Sequence, residues 1–465
     1  MLGFTNLLWV LYMSLFHLLP ISSAKISAFI QASGGIFLLI NLIFVAAICD
    51  ELFPGRRSLA TVAMVLTAFD GPLNNWALQG TEVGILTLGV TASTWLALRT
   101  IQTGRRAITL YSLLALMTLC RLDMAVFAGT ILVAVATAER SRWKTHLILG
   151  GAIVAFFLAA QLGFNFSYYG DALPNTYYLK LTGYPLLERI RRGIFVSFLF
   201  LLPLSPIALA AAAYAKLHGI PRRTLLLAAV VVAQLAYSTW VGGDAWEWWG
   251  GSNRYVSIAM PLFFILVAPV LVAGSGRVFR RAGRKAGARF SAAVALTAMV
   301  GVVLLLVNIY QLRSTLLIDA PPQTSNPHSF DTNEGMVRQA LLIDRFTDPG
   351  ATMAVVWAGS LPYFANRRSI DLLGKTDPKI AMEKTHVGSA SAQSKGFWPG
   401  HLKWDYDYSI GDLKPDVVVQ LWGVAPQSIS ALKRDYVAVS VEGFHWYLRR
   451  GSPQIRWSAL KLQAQ

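Results

Sequence analysis

Thr145-His-Leu-Ile-Leu-Gly-Gly-Ala-Ile-Val-Ala-Phe-Phe-Leu-Ala-Ala-Gln-Leu-Gly163 is followed almost at once by Asn165-Phe-Ser-Tyr-Tyr-Gly-Asp-Ala-Leu-Pro-Asn-Thr-Tyr-Tyr-Leu-Lys180. The first run carries no Asp, Glu, Lys or Arg and has the length that crosses a bilayer core, about 20 residues. The second is polar, aromatic and turn-rich, and another apolar run follows it. A connection between spans needs only a few residues. This one is long and holds Asp171, Asn175, Tyr177, Tyr178 and Lys180, so it is expected to bind something at the membrane surface.

The same alternation extends outward over the chain. Of 465 residues, 55% are hydrophobic and only 14% charged, with mean hydropathy +0.49; soluble domains are nearer a quarter charged. Apolar blocks at 27–49, 58–72, 78–98, 107–121, 122–138, 145–163, 193–215, 224–241, 255–273 and 291–311 predict about ten spans. The shorter block 5–19 suits a helix lying at the interface. The net charge of +17 does not point to nucleic acid, because the basic residues fall in short loops. Arg56/Arg57, Arg99/Arg105/Arg106, Arg140/Arg142/Lys144, Lys216/Arg222/Arg223 and the cluster from Arg277 to Arg289 (with Arg284 and Lys285) occupy alternate loops, which the positive-inside rule makes cytoplasmic. The loops at 70–78, 121–123, 164–192 and 242–254 then face outward. Cys49 and Cys120 both sit in apolar blocks, so neither a disulfide framework nor a cysteine metal site is expected.

Residues 1–311 thus read as a membrane-helical domain and 312–330 as a linker. Residues 331–465 read as a small α/β domain on the outer side. In it, 333–346 reads as an amphipathic helix, and 351–357, 369–373, 416–421 and 436–441 as strands.

The outward loops gather ionisable groups, which are costly at a membrane unless paired or bound to a ligand. In Leu173-Pro-Asn-Thr-Tyr-Tyr-Leu-Lys180, a cation, an amide and two amphipathic rings suit a phosphate joined to a sugar. An aromatic belt with a snorkelling lysine accounts for the tyrosines and Lys180 but not for Pro-Asn-Thr or Asp171. In Val241-Gly-Gly-Asp-Ala-Trp-Glu-Trp-Trp-Gly-Gly-Ser-Asn-Arg254, tryptophans could stack on sugar rings while Asp244 and Arg254 hold a hydroxyl and a phosphate. The alternative is a tryptophan belt with Asp244 and Arg254 paired to each other. Gln79-Gly-Thr-Glu82 and Arg121-Leu-Asp123 offer either a ligand contact or a buried Glu82–Arg121 pair that fixes helix ends. Asp70 reads as a helix-terminal residue rather than a base. In the C-terminal domain, His401 with Asp371 or Asp377 could complete a site. No metal-ligand spacing, P-loop or Gly-x-Ser-x-Gly elbow is present.

Five blocks in order, Thr5-Asn-Leu-Leu-Trp9, Gly80-Thr-Glu-Val83, Arg121-Leu-Asp123, Leu173–Lys180 and Gly242-Gly-Asp244 with Arg254, resemble those of GT-C-type polytopic membrane glycosyltransferases. The likeness is strongest to relatives of the mycobacterial terminal β-(1→2) arabinofuranosyltransferase. Val83, Leu122 and the tryptophan-rich insert before Arg254 depart from that pattern. The resemblance implies an all-α, GT-C-like membrane bundle that transfers a sugar from a polyprenyl-phosphate donor to an envelope glycan or lipid acceptor. Transfer would take place at the outer face of the cytoplasmic membrane. It implies Lys180 and Arg254 on the donor phosphate, and Asn175, Tyr177, Tyr178 and Asp244 around the sugar. Glu82, Arg121, Asp123, Asp171 and His401 would support the site or contact the acceptor. A monophosphate-linked donor demands neither a metal nor another cofactor. In that family a further span and an acidic loop carrying the base precede the Thr-Asn-x-Leu-Trp segment. Here that segment begins at Thr5, so the chain is expected to lack them, and Asp244 is the remaining base candidate. Two other readings stay open. One is a non-catalytic membrane scaffold that binds glycan or lipid; the other is a transporter, which would place its polar groups at mid-bilayer.

Overall fold

The computed structural model describes residues 2–245, 253–281, 330–386 and 398–461. The expected span 291–311, most of the linker 312–330, the insert Trp246-Glu-Trp-Trp249 and the basic residues Arg284, Lys285 and Arg289 lie outside them. The chain divides into two compact units, each discontinuous in sequence. A helical unit comprises Thr5–Gly163 and Ile190–Leu317; a sheet unit comprises Met1–Phe4, Phe164–Arg189 and Ile318–Gln465.

The helical unit is built from α1 (Leu7–Phe16), α2 (Ser23–Leu52), α3 (Arg57–Ala68), α4 (Gly71–Ala77), α5 (Val83–Thr103), α6 (Ala107–Cys120) and α7 (Met124–Ala138). It continues through α8 (Gly151–Tyr169), entered by a wider turn at Thr145–Gly150, and resumes after the 164–189 segment. Among the described residues, five helical stretches are long and apolar enough to cross a membrane: Ser23–Leu52, Val83–Thr103, Thr145–Tyr169, Leu186–His218 and Thr224–Val241. Shorter apolar helices accompany them.

The expected span 58–72 is corrected. Its helix ends at Ala68, and a new one starts at Gly71-Pro72. Proline is unwelcome inside a helix but suited to its first turn, so Asp70-Gly-Pro72 breaks the apolar run into two helices. The block 78–98 is shifted likewise: Gly80 adopts φ 80° in the turn before α5.

Close approach of helices relies on missing side chains. A Cβ on Gly34 would lie 2.2 Å from the Ala77 carbonyl oxygen, and one on Gly84 would lie 3.1 Å from the Gly34 carbonyl oxygen. Small residues that let backbones meet are the usual means of packing helices in lipid, where burial against a neighbour gains little over burial in acyl chains. Thr91 adds a cross-helix hydrogen bond, its hydroxyl donating to Asn41 at 2.7 Å.

In the sheet unit, α9 is Asn175–Leu181. The chain then passes back into the helical unit through α10 (Leu186–Leu201), α11 (Ser205–His218), α12 (Thr224–Val241), α13 (Arg254–Ser257) and α14 (Met260–Arg281). It returns to the sheet unit at α15 (Phe330–Phe346), followed by β1 (Thr352–Val355), α16 (Ser360–Ala365), β2 (Arg368–Asp371) and α17 (Pro378–Met382). The last elements are β3 (Val417–Val418), α18 (Ser430–Asp435), β4 (Tyr436–Val441), β5 (Phe444–Arg449) and α19 (Trp457–Lys461).

The strand order is β2-β1-β3-β5-β4, with β1 parallel to both β2 and β3, and β5 antiparallel to β3 and β4. Four strands match the expected positions, with β3 shorter than the 416–421 run. The fifth, β5, was not anticipated. Its signal is the Glu442-Gly443 dipeptide, φ 50° and 84°, which closes a two-residue hairpin between Val441 and Phe444 in the turn whose twist suits antiparallel strands.

Candidate functional site

The expected residues fall into two groups, one in each unit. In the helical unit, Glu82, Arg121, Asp123, Asp244 and Arg254 form one network at helix ends, in which Glu82, Arg121 and Asp244 are buried and the Arg254 side chain stays 25% exposed. Gly80 turns the chain so that Glu82 stands at the start of α5. Arg121 follows α6 directly, and Asp123 precedes α7. Gly242 and Gly243, both left-handed (φ 84° and 78°), stop α12 and turn Asp244 inward. An L side chain resists that backbone conformation and glycine does not.

Arg121 bridges two carboxylates, with Nη1 at 3.3 Å from Glu82 and Nε at 2.6 Å from Asp123. Arg254 pairs with the fully buried Asp244 at 2.8 Å. The Tyr255 ring lies between the two guanidiniums, 5.5 Å from Arg121 and 5.4 Å from Arg254, and Trp76 of α4 lies 5.6 Å from Arg254. The Asn6 amide donates to Glu82 at 3.2 Å, which gives the Thr-Asn-x-Leu-Trp segment a structural purpose. Burial pushes the Glu82 carboxyl up, but Arg121 and Arg254 outweigh it and hold the group below the ordinary carboxylate range. Both expected pairs, Glu82–Arg121 and Asp244–Arg254, are therefore present.

Sequence reasoning missed Arg192, whose guanidinium donates to the carbonyls of Gly242 and Asp244 and so fixes the Gly-Gly-Asp turn. It also underweighted Asp70. This carboxyl lies in the turn between α3 and α4 and is 8% exposed. Its Oδ2 is buried without a hydrogen-bond partner among the described residues. Burial pushes it up to about 7, opposed by a hydrogen bond from the Leu73 backbone.

In the sheet unit, the 164–189 segment is tied down by residues remote in sequence. The Asn175 amide donates to the Gly374 carbonyl at 3.2 Å, and its backbone N–H donates to Leu2 at 3.0 Å. Asp171 accepts from the Leu173 N–H and the Tyr178 hydroxyl, both at 3.0 Å. Lys403, 1% exposed, donates to the carbonyls of Ala381 (2.8 Å) and Tyr178 (3.1 Å) and approaches the Thr182 hydroxyl at 3.4 Å. Burial lowers its ammonium below the usual lysine range. Asn175 and Asp171 thus spend hydrogen bonds on shaping the loop, while Tyr177 is 39% exposed. Lys180 is half-buried beside Gly400, where a Cβ would lie 3.8 Å from its Cγ and Cε. His401 is buried, its Nδ1 2.9 Å from the Pro399 carbonyl. Among the described residues, no cluster of three His, Cys, Asp or Glu side chains is placed to hold a metal.

This architecture is GT-C-like in fold. ArnT from Cupriavidus metallidurans, solved bound to undecaprenyl phosphate, aligns with a TM-score of 0.55 at 12% identity, over 98% of this chain and 89% of that one. The archaeal oligosaccharyltransferase AglB from Archaeoglobus fulgidus, solved with an inhibitory peptide and a dolichol-phosphate, aligns at 0.47 and 12% identity, over 96% of this chain and 66% of that one. Residues 329–457 match a domain of unknown function, DUF8728. No curated protein matches the chain.

Proposed function

We propose that the protein transfers a sugar from a polyprenyl-phosphate donor to a glycan or lipid acceptor of the cell envelope, at the outer face of the cytoplasmic membrane. The observation that carries this reading is the network of buried Arg121 and partly buried Arg254 with carboxylates at the helix ends of a GT-C-like fold. The ArnT structure, of the same fold, was solved bound to undecaprenyl phosphate. A buried guanidinium in a water-poor setting stabilises a departing phosphate far better than one in bulk water.

In the reaction, an acceptor hydroxyl attacks the anomeric carbon and the bond from that carbon to the phosphate oxygen breaks. Polyprenyl phosphate leaves with the bonding pair, and a carboxylate takes the hydroxyl proton. Arg254 is assigned to the leaving phosphate. Asp244, released from Arg254 as the guanidinium turns to the incoming anion, is the candidate base. Glu82, Arg121 and Asp123 hold the helix ends that carry this pair. Tyr177, Tyr178 and Lys180, on a segment of the sheet unit shaped by Asp171 and Asn175, are proposed to bind a sugar phosphate within that unit, and His401 to contact a glycan there.

Purified protein supplied with a panel of polyprenyl-phosphate sugars and envelope acceptors tests the proposal. Arg254→Met and Lys180→Met should each lower turnover by about 100-fold or more, and Asp244→Asn should abolish proton removal. Transfer at normal rates in all three variants would sink the assignments. A second reading, a non-catalytic glycan- or lipid-binding scaffold, is favoured by one observation: Glu82, Asp123 and Asp244 are each already paired with an arginine. Donor binding without turnover on any acceptor would select it.

A further inference from the structure

The sheet unit holds a second feature, of which the transfer proposal uses only Lys180 and His401. Its parallel strands β2, β1 and β3 are adjacent, and the chain leaves β1 toward β2 on one side but re-enters at β3 on the other. The carboxyl ends of β1 and β3 therefore flank a topological switch point, the place where open α/β sheets leave a crevice for a ligand.

Three loops leaving this edge bring specific side chains. After β2, Asp371 accepts hydrogen bonds from the Leu373 and Thr376 N–H groups (2.9 and 2.8 Å) and so fixes the loop that carries Lys375. After β1 comes Trp357, whose N–H donates with that of Val356 to the Gln420 side chain at 3.0 and 3.1 Å. After β3 comes Trp422, whose backbone N–H and carbonyl both bond the Tyr406 hydroxyl. Its indole N–H donates to the His401 carbonyl at 2.9 Å.

These side chains converge. The Trp357 and Trp422 ring centroids are 5.8 Å apart, Trp398 is 5.3 Å from Trp422, and the His401 ring lies 5.6–6.1 Å from all three indoles. The Lys375 ammonium is 5.6 Å from the Trp357 ring, and Lys180 stands beside Gly400, next to His401. Trp398 and His401 are buried, whereas Trp357 and Trp422 are only half-buried.

We propose that this crevice of the sheet unit is a binding site for a sugar ring, stacked on the half-buried Trp357 and Trp422 faces with Lys375 and Lys180 at its rim. The choice of a sugar rests on the transferase reading. Its physical basis is that a pyranose or furanose presents C–H edges to the electron-rich indole face while its hydroxyls remain open to polar groups. A core of the same composition would bury all four rings. Here the two on adjacent strand ends keep open surface, each held in place by its own backbone hydrogen bonds.

The sugar belongs either to a neutral acceptor glycan or to a donor head group with its phosphate, and soluble probes separate these. Full-length protein in detergent is titrated by calorimetry and saturation-transfer NMR with gluco-, manno- and arabino-tetrasaccharides, and with glucose, mannose and arabinose 1-phosphates. We expect saturable binding of at least one probe, with Kd near about 1 mM. Trp357→Leu and Trp422→Phe should each weaken it about fivefold or more, in protein that circular dichroism shows still folded at the binding temperature. Binding confined to a tetrasaccharide assigns the acceptor. Binding confined to a sugar phosphate, and weakened by Lys375→Met, assigns the donor head. No saturable binding of any of the six probes overturns the inference, as does binding that both tryptophan variants retain in full. Because binding is read without turnover, a protein that binds sugar but transfers none keeps this site and loses only the transferase reading.

Discussion

Replacing Asp70 by Asn should change how stability depends on pH. The carboxyl is buried in the turn before α4, has one oxygen without a partner among the described residues, and is pushed up to about 7. In the unfolded chain an aspartate titrates near about 3.9. The folded pKa lies above the unfolded one, so the folded state holds the proton more tightly. This contribution to stability is complete below about pH 4, falls by about 1.4 kcal/mol per pH unit above it, and is exhausted somewhat above pH 7. The total is about 4 kcal/mol. An Asn fills the same space and never ionises. Between pH 5.5 and 8 the wild type should therefore lose about 2 kcal/mol relative to Asp70→Asn. Thermal or guanidinium unfolding of both proteins in the same detergent, at half-unit pH steps, reads the difference. Wild-type and variant curves running parallel across this range would refute the reasoning, since Asp70 would then be ionised and solvated in the folded state.

Arg121→Met strands the Glu82 and Asp123 carboxylates and should cost about 3–5 kcal/mol; adding Glu82→Gln and Asp123→Asn should recover most of it in the same unfolding assay, and a triple variant no better than the single one contradicts the network. Lys403→Met removes the donor shared by the Tyr178 and Ala381 carbonyls, so amide exchange across 175–182 should accelerate by about tenfold or more, with the strands unaffected. Gly34→Val forces a side chain onto the Ala77 carbonyl and should destabilise by more than about 2 kcal/mol. Gly129→Ala, where a Cβ meets nothing within 4 Å, is the control and should leave melting unchanged.

The membrane helices were legible because hydropathy acts over many residues at once and a single polar position does not disturb it. Their ends were not, because ends depend on local backbone chemistry such as Asp70-Gly-Pro72 or the left-handed turn at Gly80. In the sheet unit, strand positions followed from short apolar runs, while β5 hid behind an unrecognised two-residue turn. The charged residues of the helical network were readable because an ionisable group at the end of an apolar block needs a partner. Their pairing then follows from sign and position. Lys403, Arg192 and the switch-point tryptophans were not readable, because their neighbours come from segments far apart in the chain. Lys403 contacts a carbonyl 225 positions away, and no local pattern encodes that.

The tie between Lys403 and the 175–182 segment also sets an order of events during synthesis. Tyr178 is made 225 residues before the lysine that bonds its carbonyl. At about 5–20 residues per second this segment waits about 10–45 s for that partner. For that interval it carries its exposed tyrosines and half-made turn without the domain that shapes it. The shape that Lys403 gives the segment is therefore absent until the ribosome has passed Lys403.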